Sequence, residues 1–142
     1  MPNIIYYADE NNDELSIFKE SAKSVGSNLK TFETGNELMD AIDAPSPDPQ
    51  IVFIDLKEVS DSLRLVKEIR RSESNKLPIV IISECNNNKT VNLFSELGAN
   101  LYIQKCISNI KLKSAIYYAL RINWKTFRTN SKNFFYNYFL TK

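Results

Sequence analysis

Two kinds of apolar spacing alternate along the chain. Short runs of consecutive apolar residues occur at Ile4 to Tyr7, Leu29 to Phe32, Ile51 to Ile54, Ile79 to Ile82 and Leu101 to Ile103. They are rich in β-branched and aromatic side chains, and each gives way to a polar residue, which predicts five strands. Between and after them apolar residues recur every three or four positions: Leu15, Phe18, Ala22, Val25; Leu38, Ala41, Ile42; Leu63, Val66, Ile69; Val91, Phe94, Leu97; and Leu112, Ile116, Ala119, Leu120. That spacing gives one apolar face per helix and predicts a helix after every strand. The first, third and fourth strands are apolar on successive residues, as a strand covered on both faces requires. Five βα units in a row predict an α/β protein with a doubly wound, five-stranded parallel sheet and helices on both sides.

Boundary signals agree with this order. Thr34 followed by Glu37 has the spacing of a capping box at the start of the second helix, and Gly26 and Gly98 stand where the first and fourth helices need a left-handed residue. The segment Ala44-Pro-Ser-Pro-Asp-Pro-Gln50 cannot be helix interior, because each proline removes a backbone donor; a stiff loop into the third strand is expected. Residues 1–122 are expected to form one body and residues 123–142 a C-terminal extension.

Composition narrows the chemistry. A chain of 142 residues, 43% hydrophobic and 25% charged, can bury a core without disulfides or a structural metal. With no His and two Cys, Cys85 and Cys106, neither a zinc finger nor a His-based triad can be written. No run of about 18 apolar residues suggests a membrane span, and the N-terminus lacks the pattern of a secretory signal; a cytoplasmic protein with reduced thiols is expected. The net charge of +1 hides an asymmetry: residues 1–104 carry 10 basic and all 17 acidic side chains, whereas residues 105–142 carry 8 basic and none acidic. The extension also holds Trp124, Phe127, Phe134, Phe135, Tyr136, Tyr138 and Phe139. Aromatics interleaved with Lys and Arg suit packing against the acidic body, or contact with a partner or a second copy of the chain. A single-stranded nucleic acid is disfavoured by the acidic body, and no DNA partner is expected.

In an open parallel sheet, ligands bind beyond the carboxyl ends of the strands. The first strand ends at Ala8-Asp9-Glu10, the third at Asp55 and the fourth at Ser83-Glu84, while the fifth runs through Tyr102 to Lys105. Acids, a hydroxyl and an ammonium on one edge suit a divalent cation and a phosphoryl group. Asp9 and Asp55 offer hard oxygens to Mg²⁺, Ser83 can donate to a phosphoryl oxygen, and Lys105 can neutralise its charge. A carboxylate can itself attack phosphorus, and Asp55, following the apolar third strand, is the candidate nucleophile.

The stretches IIYYADENNDEL, IVFIDLKE, LVKEIR, PIVIIS and GANLYIQK, taken together over roughly residues 3–122, resemble the receiver domain of two-component response regulators. The resemblance implies a flavodoxin-like (βα)5 receiver fold and phosphoryl transfer to Asp55 from a histidine kinase or phosphotransfer protein. It further implies Mg²⁺ held near Asp9 and Asp55, with Glu10 as an additional acid and a backbone carbonyl lent by the loop at Lys57. Ser83 and Lys105 would contact the phosphoryl oxygens. Ser83 and Tyr102 would carry a switch, the hydroxyl moving toward the phosphoryl group and the aromatic ring turning inward. The output would be protein binding at the face of the fourth helix, fifth strand and fifth helix, a signalling role and not a metabolic enzyme.

Four positions depart from the family pattern. Ala8 stands where the first of two adjacent acids is usual, weakening the expected Mg²⁺ site. The loop after Asp55 lacks its usual Met-Pro and Gly. Glu84 replaces a small residue; at ~6 Å from a phosphoryl charge of ~−2 and an effective dielectric of ~20, it would repel by roughly 5 kcal/mol, an effect that largely vanishes if Glu84 faces solvent or pairs with Lys57. Cys106 stands where a cis proline is usual, and a cis bond there would cost about 2.5–4 kcal/mol. These departures support a competing reading, a receiver fold kept as a phosphorylation-independent interaction or dimerisation module. A flavodoxin-like cofactor protein is disfavoured, because acids occupy the turn where a phosphate-cradling loop would need Gly, Ser or Thr.

Overall fold

The computed structural model describes residues 3–11, 14–45, 49–72, 77–84, 87–105, 108–124 and 136–137. Strands and helices alternate as β1 (Asn3–Asp9), α1 (Leu15–Ser24), β2 (Ser27–Phe32), α2 (Gly35–Asp43), β3 (Ile51–Asp55), α3 (Val59–Ser72), β4 (Ile79–Ser83), α4 (Asn88–Leu97), β5 (Leu101–Gln104) and α5 (Asn109–Arg121), followed by β6 (Tyr136–Asn137). The sheet order is β2-β1-β3-β4-β5-β6, and every pairing is parallel. The five expected strands are therefore present in the doubly wound order. The extension adds a sixth, two-residue strand on the outer edge of β5, in register Leu101 with Tyr136 and Tyr102 with Asn137.

Successive strand residues point to opposite faces, and this splits the interior into two apolar layers. Tyr6, Ala8, Val52, Ile54, Ile79, Ile81 and Tyr102 pack with Leu38 and Ile42 of α2, Leu65, Val66 and Ile69 of α3, and Val91 and Phe94 of α4. Ile5, Tyr7, Ile51, Phe53, Val80, Ile82, Leu101 and Ile103 pack with Phe18 and Ala22 of α1, Leu112, Ala115, Ile116 and Ala119 of α5, and Trp124. The unbroken apolar runs of β1, β3 and β4 serve both layers at once. β2, an edge strand with one covered face, is instead exposed at Asn28, Lys30 and Thr31.

The helix ends carry the expected chemistry with two adjustments. Thr34 Oγ1 accepts from the backbone N–H of Glu37 at 3.1 Å, but the Glu37 carboxylate accepts from the N–H of Glu33 at 2.9 Å, one residue earlier than an ideal capping box. Gly98 closes α4 at φ 113°, and its carbonyl accepts from Arg70 Nε and Nη2 of α3 at 3.0 and 2.8 Å. Asn87 caps α4 by accepting from the N–H of Lys89. Of the proline-rich loop, residues 46–48 lie outside the described residues, as do Cys85, Cys106 and most of the extension.

Candidate functional site

The parallel register pairs Asp9 directly with Asp55 at the carboxyl ends of neighbouring strands β1 and β3. The strand order turns from β1 to β2 on one side and from β1 to β3 on the other, so these acids lie at the crevice of the doubly wound sheet. Both residues follow the side-chain alternation onto the α1/α5 face, beyond Tyr7 and Phe53. Tyr7 stacks on Phe18 with ring centroids 3.9 Å apart, and Phe18 meets Phe53 edge-on at 4.9 Å. An aromatic floor therefore lies beneath the acids and withholds water from them. Asp9 is 2% and Asp55 4% exposed.

A third acid joins them from the helix side. Glu14, immediately before α1, is 7% exposed, and its side chain makes no capping bond to the helix it precedes. One carboxylate oxygen from each of Asp9, Glu14 and Asp55 lies within 4.8 Å of the other two. Lys105, just beyond β5, places Nζ 3.0 Å from Asp55 Oδ1 and 3.3 Å from Glu14 Oε1. Tyr7 donates its hydroxyl to Asp9 Oδ2 at 2.5 Å, and the N–H of Asn11 donates to Asp9 Oδ1 at 3.0 Å. Asp55 Oδ2 is buried with no hydrogen-bond partner among the described residues.

Burial against this floor pushes the Asp55 carboxyl up to about 7; Lys105 pulls the other way, and Asp9 adds to the rise. Burial also works against the Lys105 ammonium, yet Asp55 and Glu14 together hold it above the usual lysine range. The Tyr7 phenol is driven far up, first by burial and then by its bond to Asp9, so it stays a donor at any physiological pH. The arrangement is a buried carboxylate with one oxygen fixed by an ammonium and the other uncommitted. Beside it lie two further hard oxygen donors. Such a set can coordinate a divalent cation and present a nucleophilic oxygen to phosphorus.

Of the residues singled out in the sequence, Asp9, Asp55 and Lys105 converge. Glu10 does not join the cluster: it is exposed, and its carboxylate accepts from the N–H of Lys57 at 2.6 Å, tying the β1 and β3 loops together. Ser83 ends β4 opposite Gln104 and accepts through its carbonyl from the N–H of Lys105 at 2.7 Å. Glu84 is solvent-exposed and forms no ion pair with Lys57 among the described residues. Tyr102 is fully buried, its ring 5.9 Å from that of Phe94 in α4. Ala8 is fully buried in the opposite apolar layer. Glu14 and Tyr7 were not legible as site residues. The one available signal for Glu14 is an acid directly before the first apolar residue of α1.

Residues 5–117 match the family model of the response regulator receiver domain. The structure is similar to that of NtrX from Brucella abortus, with 25% identity and a TM-score of 0.70 over 92% of this chain and 29% of NtrX; the chain thus spans under a third of that protein's length. It is also similar to a CheY-like receiver domain protein from Methanospirillum hungatei, with 15% identity and a TM-score of 0.71 over 89% of this chain and 98% of that one. For the chemotaxis response regulator CheY4 of Vibrio cholerae the values are 16% and 0.67 over 83% and 98%. Among the described residues no helix is long and apolar enough to cross a membrane. With well over half of its length matched, and with the acids and lysine gathered at the strand ends, the chain belongs to the response regulator receiver family, the signalling modules of two-component systems.

Proposed function

We propose that this chain takes a phosphoryl group onto Asp55 from a histidine kinase or phosphotransfer protein and thereby changes a protein-binding face. One observation carries the reading: Asp55 is buried with Oδ1 held by Lys105 at 3.0 Å and Oδ2 without a partner among the described residues. In the transfer Oδ2 forms the new bond to phosphorus as the phosphorus–nitrogen bond of the donor histidine breaks, its electron pair returning to the imidazole. Lys105 stays on the carboxyl and offsets the added negative charge. Receiver domains generally hold Mg²⁺ in an acidic pocket, and three buried carboxylates around an unsatisfied oxygen fit that ion. Asp9 and Asp55 would hold it, and the ion would screen the incoming phosphoryl oxygens. The exposure of Glu84 to solvent screens most of the repulsion that its sequence position suggested.

Ser83 and Tyr102 are proposed as the switch, and α4, β5 and α5 as the output face. Tyr102 occupies the inward position here, against Phe94. Because β6 pairs with β5, part of the extension borders that face. The second reading, an interaction module that no longer transfers phosphoryl groups, rests on Ala8, whose side chain contributes to the core and not to the site.

Treating the purified protein with acetyl phosphate and Mg²⁺ and reading the intact mass separates the two. A hydroxylamine-labile single phosphoryl adduct on the wild type, absent from Asp55→Asn, is the expected result. No adduct on a folded protein that also fails to bind beryllofluoride would refute phosphotransfer and leave the interaction module.

A further inference from the structure

We infer that Glu14, delivered by α1 and not by β1, is the acid that replaces the one missing at Ala8 in holding the divalent cation. This rests on the reading of the site as a receiver pocket and names a residue that the family pattern does not supply. Position 8 contributes no carboxylate here, because it is Ala and its side chain is buried in the layer under α2, α3 and α4. Position 14 is on the correct face. It precedes α1, whose Phe18 packs against Tyr7 and Phe53 beneath the acids.

Two further observations tie Glu14 to the site and not to local structure. The Glu14 side chain makes no capping bond to the helix it precedes, and Glu is not one of the short polar residues that ordinarily cap a helix. It is drawn inward instead, with its side chain 9% exposed, to 3.3 Å from Lys105 Nζ. Burying a third carboxylate beside Asp9 and Asp55 is unfavourable when, among the described residues, Lys105 alone pairs with the cluster, at Asp55 and Glu14. The uncommitted, buried Asp55 Oδ2 lies in the same cluster. A divalent cation satisfies both conditions, adding two positive charges where three carboxylates meet and coordinating hard oxygens. Glu14 and Lys105 are then coupled: as the cation takes up the Glu14 carboxylate, the ammonium is left to Asp55.

The test is Mn²⁺ binding, followed by the loss of the free-ion electron paramagnetic resonance signal, on the full-length chain in slightly alkaline buffer. Wild type, Asp55→Asn and Glu14→Gln are compared, and Glu14→Gln is repeated in a Lys105→Met background, with circular dichroism confirming that each variant is folded. Glu14→Gln is expected to weaken binding by about tenfold or more, as loss of a ligand or close metal partner does, and to do so with or without Lys105. Binding by Glu14→Gln within about threefold of wild type, alongside loss in Asp55→Asn, would overturn the role of Glu14 while leaving the receiver pocket intact. An effect of Glu14→Gln that disappears in the Lys105→Met background would also overturn it, showing that Glu14 acts only by holding the lysine. Absence of Mn²⁺ binding by the wild type would overturn both this inference and the reading on which it rests.

Discussion

Replacing Asp55 with Asn should make the protein more stable, although Asp55 is the residue on which the proposed function turns. The carboxyl is raised from an ordinary 3.8 to about 7, chiefly by burial. A group that binds its proton more tightly in the folded state contributes stability that is present below its unfolded value and is lost as pH rises through its folded value. For Asp55 that window runs from about pH 4 to about pH 7. At about 1.4 kcal/mol per unit the full loss slightly exceeds 4 kcal/mol. Asn carries no charge to desolvate, keeps an oxygen for Lys105, and places an amide donor beside Asp9 and Glu14. A gain of about 2–4 kcal/mol at pH 8 follows, or roughly 10 °C in Tm for a chain of this size. Thermal unfolding followed by circular dichroism across this pH range, without Mg²⁺, is the assay. The wild-type Tm should fall from pH 5 to pH 8 relative to Asp55→Asn, and the two curves should converge at the acidic end. An Asp55→Asn protein no more stable than wild type at pH 8, or a constant gap between the curves, would refute the reasoning.

Three other outcomes follow from the same structure. Mg²⁺ must displace the proton that Asp55 retains up to about pH 7, so its affinity should rise as pH climbs to about 8 and then level off, with proton release visible by calorimetry in buffers of different ionisation enthalpy. Tyr7→Phe removes the hydroxyl that donates to buried Asp9 at 2.5 Å; a hydrogen bond to a charged group is worth about 1.5–3 kcal/mol, measurable as a lower urea midpoint with an unchanged slope. Gly98→Ala combines a left-handed φ of 113° with a Cβ that would meet Arg70 Nε at 2.8 Å, and should cost about 2–4 kcal/mol. By comparison Gly26→Ala, at φ +69° with nothing within 4 Å, should cost only about 1–2 kcal/mol, which urea unfolding of the pair will show.

The strands were legible because β1, β3 and β4 serve two layers, which leaves an unbroken apolar run in the sequence. β2 was placed at Leu29 to Phe32 but begins at Ser27, since an edge strand with one exposed face accepts polar residues that carry no strand signal. Asp9, Asp55 and Lys105 could be placed because each directly ends or follows an apolar strand, and strand ends are where parallel sheets bind. Glu14 could not, because its inclusion depends on where the start of α1 sits relative to the strand ends, which no local pattern encodes. Tyr7 read as a core strand residue and is one; that its hydroxyl also reaches Asp9 depends on the two-residue step along one face of β1. The sixth strand escaped for a related reason, since its pairing with β5 spans more than thirty residues and is supported by backbone contacts that any sequence could make.

Trp124, the single tryptophan of the chain, lies 7% exposed in the layer formed by α1, α5 and one face of the sheet, its indole N–H donating to the Ala119 carbonyl at 3.1 Å. The opposite layer, under α2, α3 and α4, contains tyrosines but no tryptophan. Selective indole excitation therefore watches one half of the interior alone, while far-ultraviolet circular dichroism watches both. Superimposable transitions from the two signals would show that the central sheet couples its two sides into one cooperative unit. Separated transitions would show which side yields first, making the molecule its own two-channel thermometer of internal cooperativity.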